Sequence, residues 1–411
     1  MKRIFYTFFC TLFLLLSLTR SAEASALPPD ITAEGAVLMD AVTGKLIYEK
    51  NADKRLSPAS TTKIMTAVVV LEKTKLQDKV TIGKNPPNTD GSAIGILTGE
   101  VFTVKDLLAG MLLESGNDCA EALAEHVSGS IEEFAKLMNA KALELGCTDT
   151  NFVNPSGLYD ENHYTSAKDL ALIMREAIKS KDFLEMEKLP FYELPPSNLD
   201  PNPKWSNNKN QLMIKNSRYY YENAIAGKTG YTVKARHSYT AAAEKGGQVL
   251  ISTMINGEGK EHFFPETKAL LEYGFNNFQL VKLYSKGQEV TDLKVNKSSI
   301  PLLADSDFHT VLNKGEIASA LSSKLCIFEV KDLGNKNFEK GERLIDSSIY
   351  VQDRLVGKLA LISGSSYEVP PLKTAEIFLT SSFPLWTVLI IAVILTFIVY
   401  LFIRKFVVKR H

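Results

Sequence analysis

Apolar residues form one long run near each end of this chain. The first run, from Ile4 to Leu18, follows Lys2 and Arg3, and the second, from Leu385 to Ile403, contains no charge. Between these runs, segments of β-type residues indicate strands, and apolar residues three and four positions apart indicate helices. The pattern predicts strands, then helices, then strands and a helix, followed by a stretch of short strands.

Two hairpins are predicted at the two ends of the first half. Residues 36–40 and 46–49 flank a turn at Thr43-Gly44, and residues 238–243 and 249–255 flank a second glycine-containing turn. Because helices separate these hairpins, we expect one antiparallel sheet that draws strands from both ends of the domain. The fold class predicted from the order is α/β in the α+β arrangement, with a helical lobe beside the sheet.

The helical lobe is predicted from caps and apolar spacing. Residues 64–71 are apolar and rich in β-branched side chains, so they suit a buried helix or a strand, and the motif that begins at Ser60 favours the helix. Thr103 and Asp106 form a capping-box pair at the start of the next helix. Further helices are predicted over 120–127, 130–146, 166–178 and 265–273.

The predicted organisation has six parts. They are a signal peptide at 1–26, a catalytic domain at 27–277, a small all-β domain at 278–366, a linker at 367–384, a transmembrane helix at 385–403 and a basic cytoplasmic tail at 404–411. A basic start, a short apolar core and small residues around Ala24 and Ala26 are typical of a cleaved secretory signal. The alternative is an uncleaved N-terminal anchor.

The C-terminal apolar run predicts a membrane anchor. At about 1.5 Å per residue a helix over 385–403 would span roughly 28 Å, close to the hydrocarbon thickness of a bilayer. Trp386 and Tyr400 lie near its ends, and Arg404 and Lys405 follow, which predicts a cytoplasmic tail and a catalytic domain on the extracytoplasmic face. The alternative is a buried core helix.

Composition adds little about function. Lys plus Arg and Asp plus Glu number 47 each, so no basic field suggests nucleic-acid binding. Three cysteines remain after the signal (Cys119, Cys147 and Cys326), and an odd number gives no disulfide framework. The histidines show no metal-ligand spacing, so we expect neither a metal nor another cofactor.

The first candidate motif is Ser60-Thr-Thr-Lys63. On a helix these two residues share one face. A serine hydroxyl is a weak nucleophile without a neighbouring base, and Lys63 can serve if burial and a nearby cation lower its pKa. Ser206-Asn-Asn-Lys209 matches the same pattern, but no apolar helix follows it, so we interpret that copy as a coincidence.

Two further motifs complete the set. In Ser115-Gly-Asn117 the serine can relay a proton to a leaving amine, and the asparagine can bind a substrate amide. In Lys228-Thr229-Gly230 a cation and a hydroxyl can bind a C-terminal carboxylate, and the glycine leaves room for an extended peptide. The backbone N–H groups of Ser60 and Tyr231 are the candidate oxyanion hole. A Ser-His-Asp triad stays open, although no Gly-x-Ser-x-Gly elbow occurs.

Together these motifs resemble penicillin-binding proteins, in particular the low-molecular-mass members that act as serine-type D-alanyl-D-alanine carboxypeptidases (peptidase family S11). The segments at 58–66, 114–118, 154–158 and 163–169 are similar to that family, and the resemblance covers about residues 28–275. It implies the penicillin-binding/β-lactamase-like transpeptidase fold. The position after Lys-Thr-Gly varies in the family and is Tyr231 here.

By this resemblance, Ser60 is acylated, Lys63 is the general base, Ser115 and Asn117 form the second motif, and Lys228 and Thr229 bind the terminal carboxylate. The implied substrate is a peptidoglycan stem peptide ending in D-Ala-D-Ala, and β-lactams would acylate the same serine. One alternative is a serine β-lactamase, although the Glu-x-x-x-Asn segment of class A enzymes is absent between Asn117 and Lys228. Another is a non-catalytic wall-binding or scaffold protein.

Overall fold

The computed structural model describes residues 27–329, 333, 335–370 and 385–407. The predicted signal peptide, residues 371–384 of the predicted linker and residues 408–411 of the predicted tail lie outside the described residues. The N-terminal part contains β1 (Gly35–Asp40), β2 (Leu46–Lys50), α1 (Lys63–Lys73), β3 (Lys79–Thr81), β4 (Val101–Thr103), α2 (Val104–Ala109), α3 (Asn117–Ser128), α4 (Ile131–Glu144), α5 (Ala167–Ala177), α6 (Lys181–Glu187), β5 (Phe191–Leu194), β6 (Lys204–Asn207), β7 (Ala224–Thr232), β8 (Arg236–Lys245), β9 (Gln248–Gly257) and α7 (Lys260–Asn277).

The main sheet has the strand order β2-β1-β9-β8-β7, and every neighbouring pair is antiparallel. Both faces are covered, so successive side chains of β1 pack into different cores. Val37 packs with the helical lobe, whereas Leu38 packs with Leu270 and Leu271 of α7. The predicted antiparallel sheet, built from both ends of the domain beside a helical lobe, is therefore confirmed, and β7 lies at its edge.

Helix formation settles the ambiguity at residues 64–71. A short 3-10 turn (Ala59–Thr62) leads directly into α1, whose residues from Lys63 to Val70 are all buried. Burial on every side explains why this helix lacks an amphipathic pattern. The capping box between Thr103 and Asp106 is present at the start of α2, as predicted.

Several features differ from the sequence-based expectations. Helix α7 begins at Lys260 rather than near Pro265, because burial of Phe263 and Phe264 in its first turns outweighs the backbone hydrogen bond that proline cannot donate. The short pairs β3–β4 and β5–β6 were not predicted. Strand β6 directly follows a segment that contains Pro201 and Pro203, and strands of three or four residues carry little periodic signal.

The C-terminal part contains β10 (Phe278–Tyr284), β11 (Glu289–Val295), β12 (Ser298–Ala304), β13 (Phe308–Asn313), α8 (Ile317–Ser322), β14 (Lys324–Ile327), β15 (Arg343–Val351), β16 (Arg354–Ser363) and α9 (Leu385–Val407). Strands β11, β12, β16, β15 and β14 form a second five-stranded sheet, and β10 pairs with β13. These strands surround their own apolar cluster, which includes Leu302, Ile349 and Leu361.

The predicted transmembrane segment at 385–403 falls on α9. Within the parts of the chain that the structure describes, no helix combines the length and the apolar character that crossing a membrane requires. The transmembrane assignment stays a prediction.

Candidate active site

Ser60 lies in the 3-10 turn before α1, and the residue before it has an unusual backbone. Ala59 has φ of 50°, in the left-handed region that residues with a Cβ seldom occupy. Such conformations persist only where the surroundings enforce them, and they cluster at functional sites. The turn places Ser60 and Lys63 on one side, with Lys63 Nζ 3.0 Å from Ser60 Oγ.

Lys63 is fully buried, and carbonyl groups fix its amine. Its Nζ lies 2.7 Å from Asn117 Oδ1 and 2.6 Å from the backbone oxygen of Ser156. Burial, and secondly the cation of Lys228, hold the pKa of Lys63 well below that of an ordinary lysine. Two of its neighbours are carbonyl oxygens, which can only accept. In the structure Lys63 Nζ donates to both oxygens and to Ser60 Oγ, and once the amine has lost a proton its lone pair can point at the Ser60 hydroxyl while both carbonyl contacts are kept.

Ser115 follows a π-helical turn (Gly110–Glu114) and has φ of 70°. This left-handed residue ends one helix just before α3 begins at Asn117, so a short break brings two motif residues to the same place. Lys228 Nζ donates to Ser115 Oγ at 3.0 Å. Asn117 donates from Nδ2 to the backbone oxygen of Asp90 at 2.6 Å, which fixes the amide with Oδ1 towards Lys63.

Strand β7 presents Lys228-Thr229-Gly230 beside the nucleophile. A Cβ at Gly230 would lie 2.9 Å from the backbone nitrogen of Ser60 and 3.0 Å from the oxygen of Pro58, so only glycine allows this approach. Because β7 pairs with β8 on one side and forms the sheet edge on the other, an extended peptide can align with its free edge. Burial lowers the pKa of Lys228 to about 8.

A loop between α4 and α5 packs against the 3-10 turn that carries Ser60. Gly157 has φ of 83°, and a Cβ there would lie 1.9 Å from the oxygen of Ala59. Buried His163 accepts the N–H of Val153 at Nδ1, so its proton is on Nε2, which donates to Thr62 Oγ1 at 2.9 Å. Burial lowers the pKa of His163 to about 4, which keeps the ring neutral.

The residues of the three motifs lie beside a cleft of about 360 Å³. Ser60, Ser115, Thr229 and Gly230 line it, and so does the half-exposed ring of Tyr231, which packs against His237 with centroids 4.5 Å apart and an interplanar angle of 35°. Lys209 also lines the cleft and forms an ion pair with Glu114 at 2.6 Å. The cleft therefore has an ion pair on its wall as well as an aromatic surface.

The three motifs predicted from the sequence converge in this site. Lys63 contacts both Ser60 and Asn117, and Lys228 contacts Ser115. The second Ser-x-x-Lys copy does not form a comparable pair, because Ser206 is buried on strand β6 and Lys209 lies beyond the end of that strand. Cys119, two residues after Asn117, is a buried residue of α3.

Sequence reasoning missed several neighbours of the site. The oxygen of Ser156 and the glycine at 157 belong to a segment that had been noted only as a family resemblance. Lys209 was set aside with its motif, yet it lines the cleft. Glu187, buried at the end of α6, carried no motif, and only the structure shows that it lies against β7.

This arrangement of serine, buried lysine and basic edge strand defines a serine acyl-transfer site on a sheet with a helical lobe. The chain matches the family model described as D-alanyl-D-alanine carboxypeptidase over residues 22–259, and the model described as penicillin-binding protein 5, C-terminal domain, over 278–369. The chain belongs to this carboxypeptidase family, and it is a serine carboxypeptidase with the penicillin-binding protein fold followed by the all-β C-terminal domain.

Named relatives agree with this assignment. The chain is 35% identical to the D-alanyl-D-alanine carboxypeptidase DacF of Bacillus subtilis over 76% of this chain and 80% of the relative. It is 32% identical to DacC of Escherichia coli, over 76% of this chain and 79% of that protein. The crystal structure of penicillin-binding protein 5 from Haemophilus influenzae superposes with a TM-score of 0.70 at 29% identity, covering 84% of this chain and all of that one.

Proposed function

We propose that this protein removes the terminal D-alanine from peptidoglycan stem peptides that end in D-Ala-D-Ala, through an acyl-enzyme on Ser60. The observation that carries the proposal is the position of the Lys63 amine, which two carbonyl groups hold 3.0 Å from Ser60 Oγ. Family membership supplies the reaction class. β-Lactams would acylate the same serine and so inhibit the enzyme.

In the acylation step, Ser60 Oγ attacks the carbonyl carbon of the penultimate D-alanine while its proton passes to neutral Lys63. The tetrahedral oxyanion accepts hydrogen bonds from the backbone N–H groups of Ser60 and Tyr231. The C–N bond then breaks, and the leaving D-alanine takes up the proton through Ser115. Water finally hydrolyses the ester, which frees Ser60 and the shortened peptide.

Substrate orientation depends on strand β7. The terminal carboxylate binds the Lys228 ammonium and the Thr229 hydroxyl, and the peptide backbone aligns along the strand edge, as in other cases of strand addition. Gly230 provides the space for that backbone beside Ser60. Asn117 binds the substrate amide while its other contacts stay in place.

Mass spectrometry of a pentapeptide incubated with the purified protein tests this function. We expect a peptide ending in D-Ala-D-Ala to lose one alanine, and the same peptide ending in L-Ala-L-Ala to stay intact. A Ser60→Ala variant is the matched control and should leave both peptides unchanged. Absence of D-alanine release by the wild type would favour a wall-binding or scaffold role, and fast repeated hydrolysis of penicillin would favour a β-lactamase.

We also propose that the protein is exported, that its signal is cleaved, and that a C-terminal helix holds it at the cell membrane. The support comes from the sequence: Lys2 and Arg3 precede an apolar run, and 385–403 is uncharged and followed by basic residues. Cell fractionation tests this, since the full chain should sediment with membranes and a chain ending at residue 370 should be released. Release of the full chain would contradict the anchor.

A further inference from the structure

A buried carboxyl group lies beneath the carboxylate-binding strand. Glu187 is the last residue of α6 and is only 1% exposed. Its Oε2 accepts the backbone N–H of Gly227 at 2.9 Å. Gly227 immediately precedes Lys228, so this hydrogen bond holds β7 next to the residue that we assign to the substrate carboxylate. Burying a carboxyl group is costly unless its surroundings compensate, and the mechanism above does not use it.

The strand is closely packed at this point. A Cβ at Gly227 would come within 2.7 Å of Asn210 Nδ2 and 2.9 Å of Tyr239 Oη. Tyr239 donates from its hydroxyl to Asn210 Oδ1 at 2.5 Å, and all these groups are buried. Glu187, Asn210 and Tyr239 therefore form one polar layer on which β7 rests, and the glycine lets the strand approach it.

Glu187 is also the charged group with the largest effect on Lys228. Burial lowers the pKa of Lys228, and Glu187 raises it. Smaller effects come from Lys209, which lowers this pKa, and from Glu114, which raises it. Lys63 of α1 also faces Lys228. Burial in turn raises the pKa of Glu187 to about 7, and Lys228 opposes the rise. Tyr239 is a further titratable neighbour: burial raises its pKa, and Glu187 adds to that rise.

We propose that Glu187 is a positioning residue that fixes β7 at Gly227 and keeps the Lys228 ammonium charged for the terminal carboxylate of the substrate. It acts through Lys228 and touches neither the substrate nor Ser60. The inference rests on the proposed function, because it takes Lys228 as the carboxylate-binding group. It assigns a role to the interaction between the charges of Glu187 on α6 and Lys228 on β7, and Glu187 belongs to none of the three motifs.

The Glu187→Gln variant separates charge from shape. Glutamine keeps an acceptor for the Gly227 N–H but removes the negative charge, so Lys228 loses its proton at lower pH. For a D-Ala-D-Ala pentapeptide at pH 8 we expect KM to rise about fivefold, and the alkaline limb of kcat/KM to move down by about one pH unit. At pH 6 the wild-type carboxyl is itself protonated, so the two proteins should converge. Kinetics on a C-terminally amidated analogue should not change.

Glu100→Gln is the matched control. Glu100 is equally buried but pairs with Lys204, and it should leave the pH profile of kcat/KM unchanged. If Glu187→Gln lowered kcat/KM by the same factor at every pH, or by the same factor for the amidated analogue, Glu187 would be only a structural residue. Either result would overturn the proposal. A wild-type profile in the variant would overturn it too. If the wild type releases no D-alanine at all, the proposed function fails instead.

A second measurement does not depend on the folding of Glu187→Gln. In protein labelled with ¹³C at the glutamate carboxyl carbons, the Glu187 signal should titrate near pH 7 in the wild type. In Lys228→Ala the signal should titrate at higher pH, because the neighbouring cation is gone and burial acts alone. A Glu187 titration that Lys228→Ala leaves unmoved would show that the two groups are independent, which contradicts the proposal.

Discussion

Lys228 Nζ lies 3.0 Å from Ser115 Oγ, and this hydrogen bond joins the edge strand of the sheet to the helical lobe. Ser115 takes its position from a left-handed backbone at the end of a π-helical turn, and Lys228 takes its position from β7. The residues that we propose as the proton relay and the carboxylate clamp are therefore hydrogen-bonded to each other.

Removal of the Lys228 side chain should mainly harm substrates with a free C-terminal carboxylate. For Lys228→Ala we expect kcat/KM for a D-Ala-D-Ala pentapeptide to fall by about 10²-fold, the size of a lost charge-assisted hydrogen bond of about 3 kcal/mol. Initial-rate kinetics on the acid and on its amide measure the effect. An equal loss on the amide would remove the carboxylate role from Lys228.

The pH dependence of substrate binding should follow the ionisation of Lys228. Its pKa is lowered to about 8, so the ammonium is present below that pH and is lost as the pH rises through it. We expect KM for the carboxylate substrate to increase between pH 7 and pH 9.5, with little change for the amidated analogue. A KM that stays constant across this range for the acid would contradict this assignment.

Replacing Lys63 by arginine should stop acylation, because it puts a permanent cation where the proposed reaction needs a base. Arginine stays protonated at all accessible pH values, so it cannot accept the Ser60 proton. We expect the rate of acylation by penicillin to fall by about 10²- to 10⁴-fold, the usual contribution of general base catalysis. Lys73→Arg, at the exposed C-terminal end of the same helix, is the control. Wild-type acylation by Lys63→Arg would exclude Lys63 as the base.

Gly230→Ala tests the close approach of β7 to the nucleophile turn. The added Cβ would lie 2.9 Å from the backbone nitrogen of Ser60, so strand and turn must separate. We expect unfolding free energy to decrease by about 1–3 kcal/mol, with slower acylation of Ser60. Gly315→Ala, where the nearest atom would be 3.4 Å away, should change neither property. Thermal denaturation and penicillin labelling measure both.

Protonation of His163 should destabilise the protein in mild acid. Its folded pKa is about 4 against an ordinary value of 6.5, so the unfolded chain binds more protons between these values. Stability is therefore complete above pH 6.5 and decreases by up to about 3 kcal/mol as the pH falls towards 4. Urea unfolding at several pH values measures the slope, which His163→Gln should reduce and His126→Gln should not. Equal slopes in all three proteins would contradict this account.

Much of the fold was predictable because its elements carry strong local signals. The hairpin at β8–β9 has a glycine turn between two apolar strands, and the capping box at Thr103 sets the start of α2. Helix α7 begins at Lys260, before the predicted residue 265, and the burial of Phe263 and Phe264 accounts for the earlier start. Tertiary burial of that kind has no counterpart in local propensity.

The site was predictable where it consists of motifs and unpredictable where it depends on packing. Ser60, Lys63, Ser115, Asn117 and Lys228 were all identified by spacing, and the structure brings them together. The carbonyl of Ser156, however, contributes only backbone, and Glu187 contacts β7 from 40 residues away in the chain. Contacts made by backbone or by isolated residues leave no pattern in a single sequence.

The most direct test of the whole account is the mass of the peptide that carries Ser60 after brief exposure to benzylpenicillin. Opening of the β-lactam ring by the serine loses no atoms, so that peptide should gain the full mass of the antibiotic, and Ser60→Ala should gain none. An adduct on a peptide without Ser60, or an adduct that persists in Ser60→Ala, would contradict the assignment of Ser60 as the nucleophile.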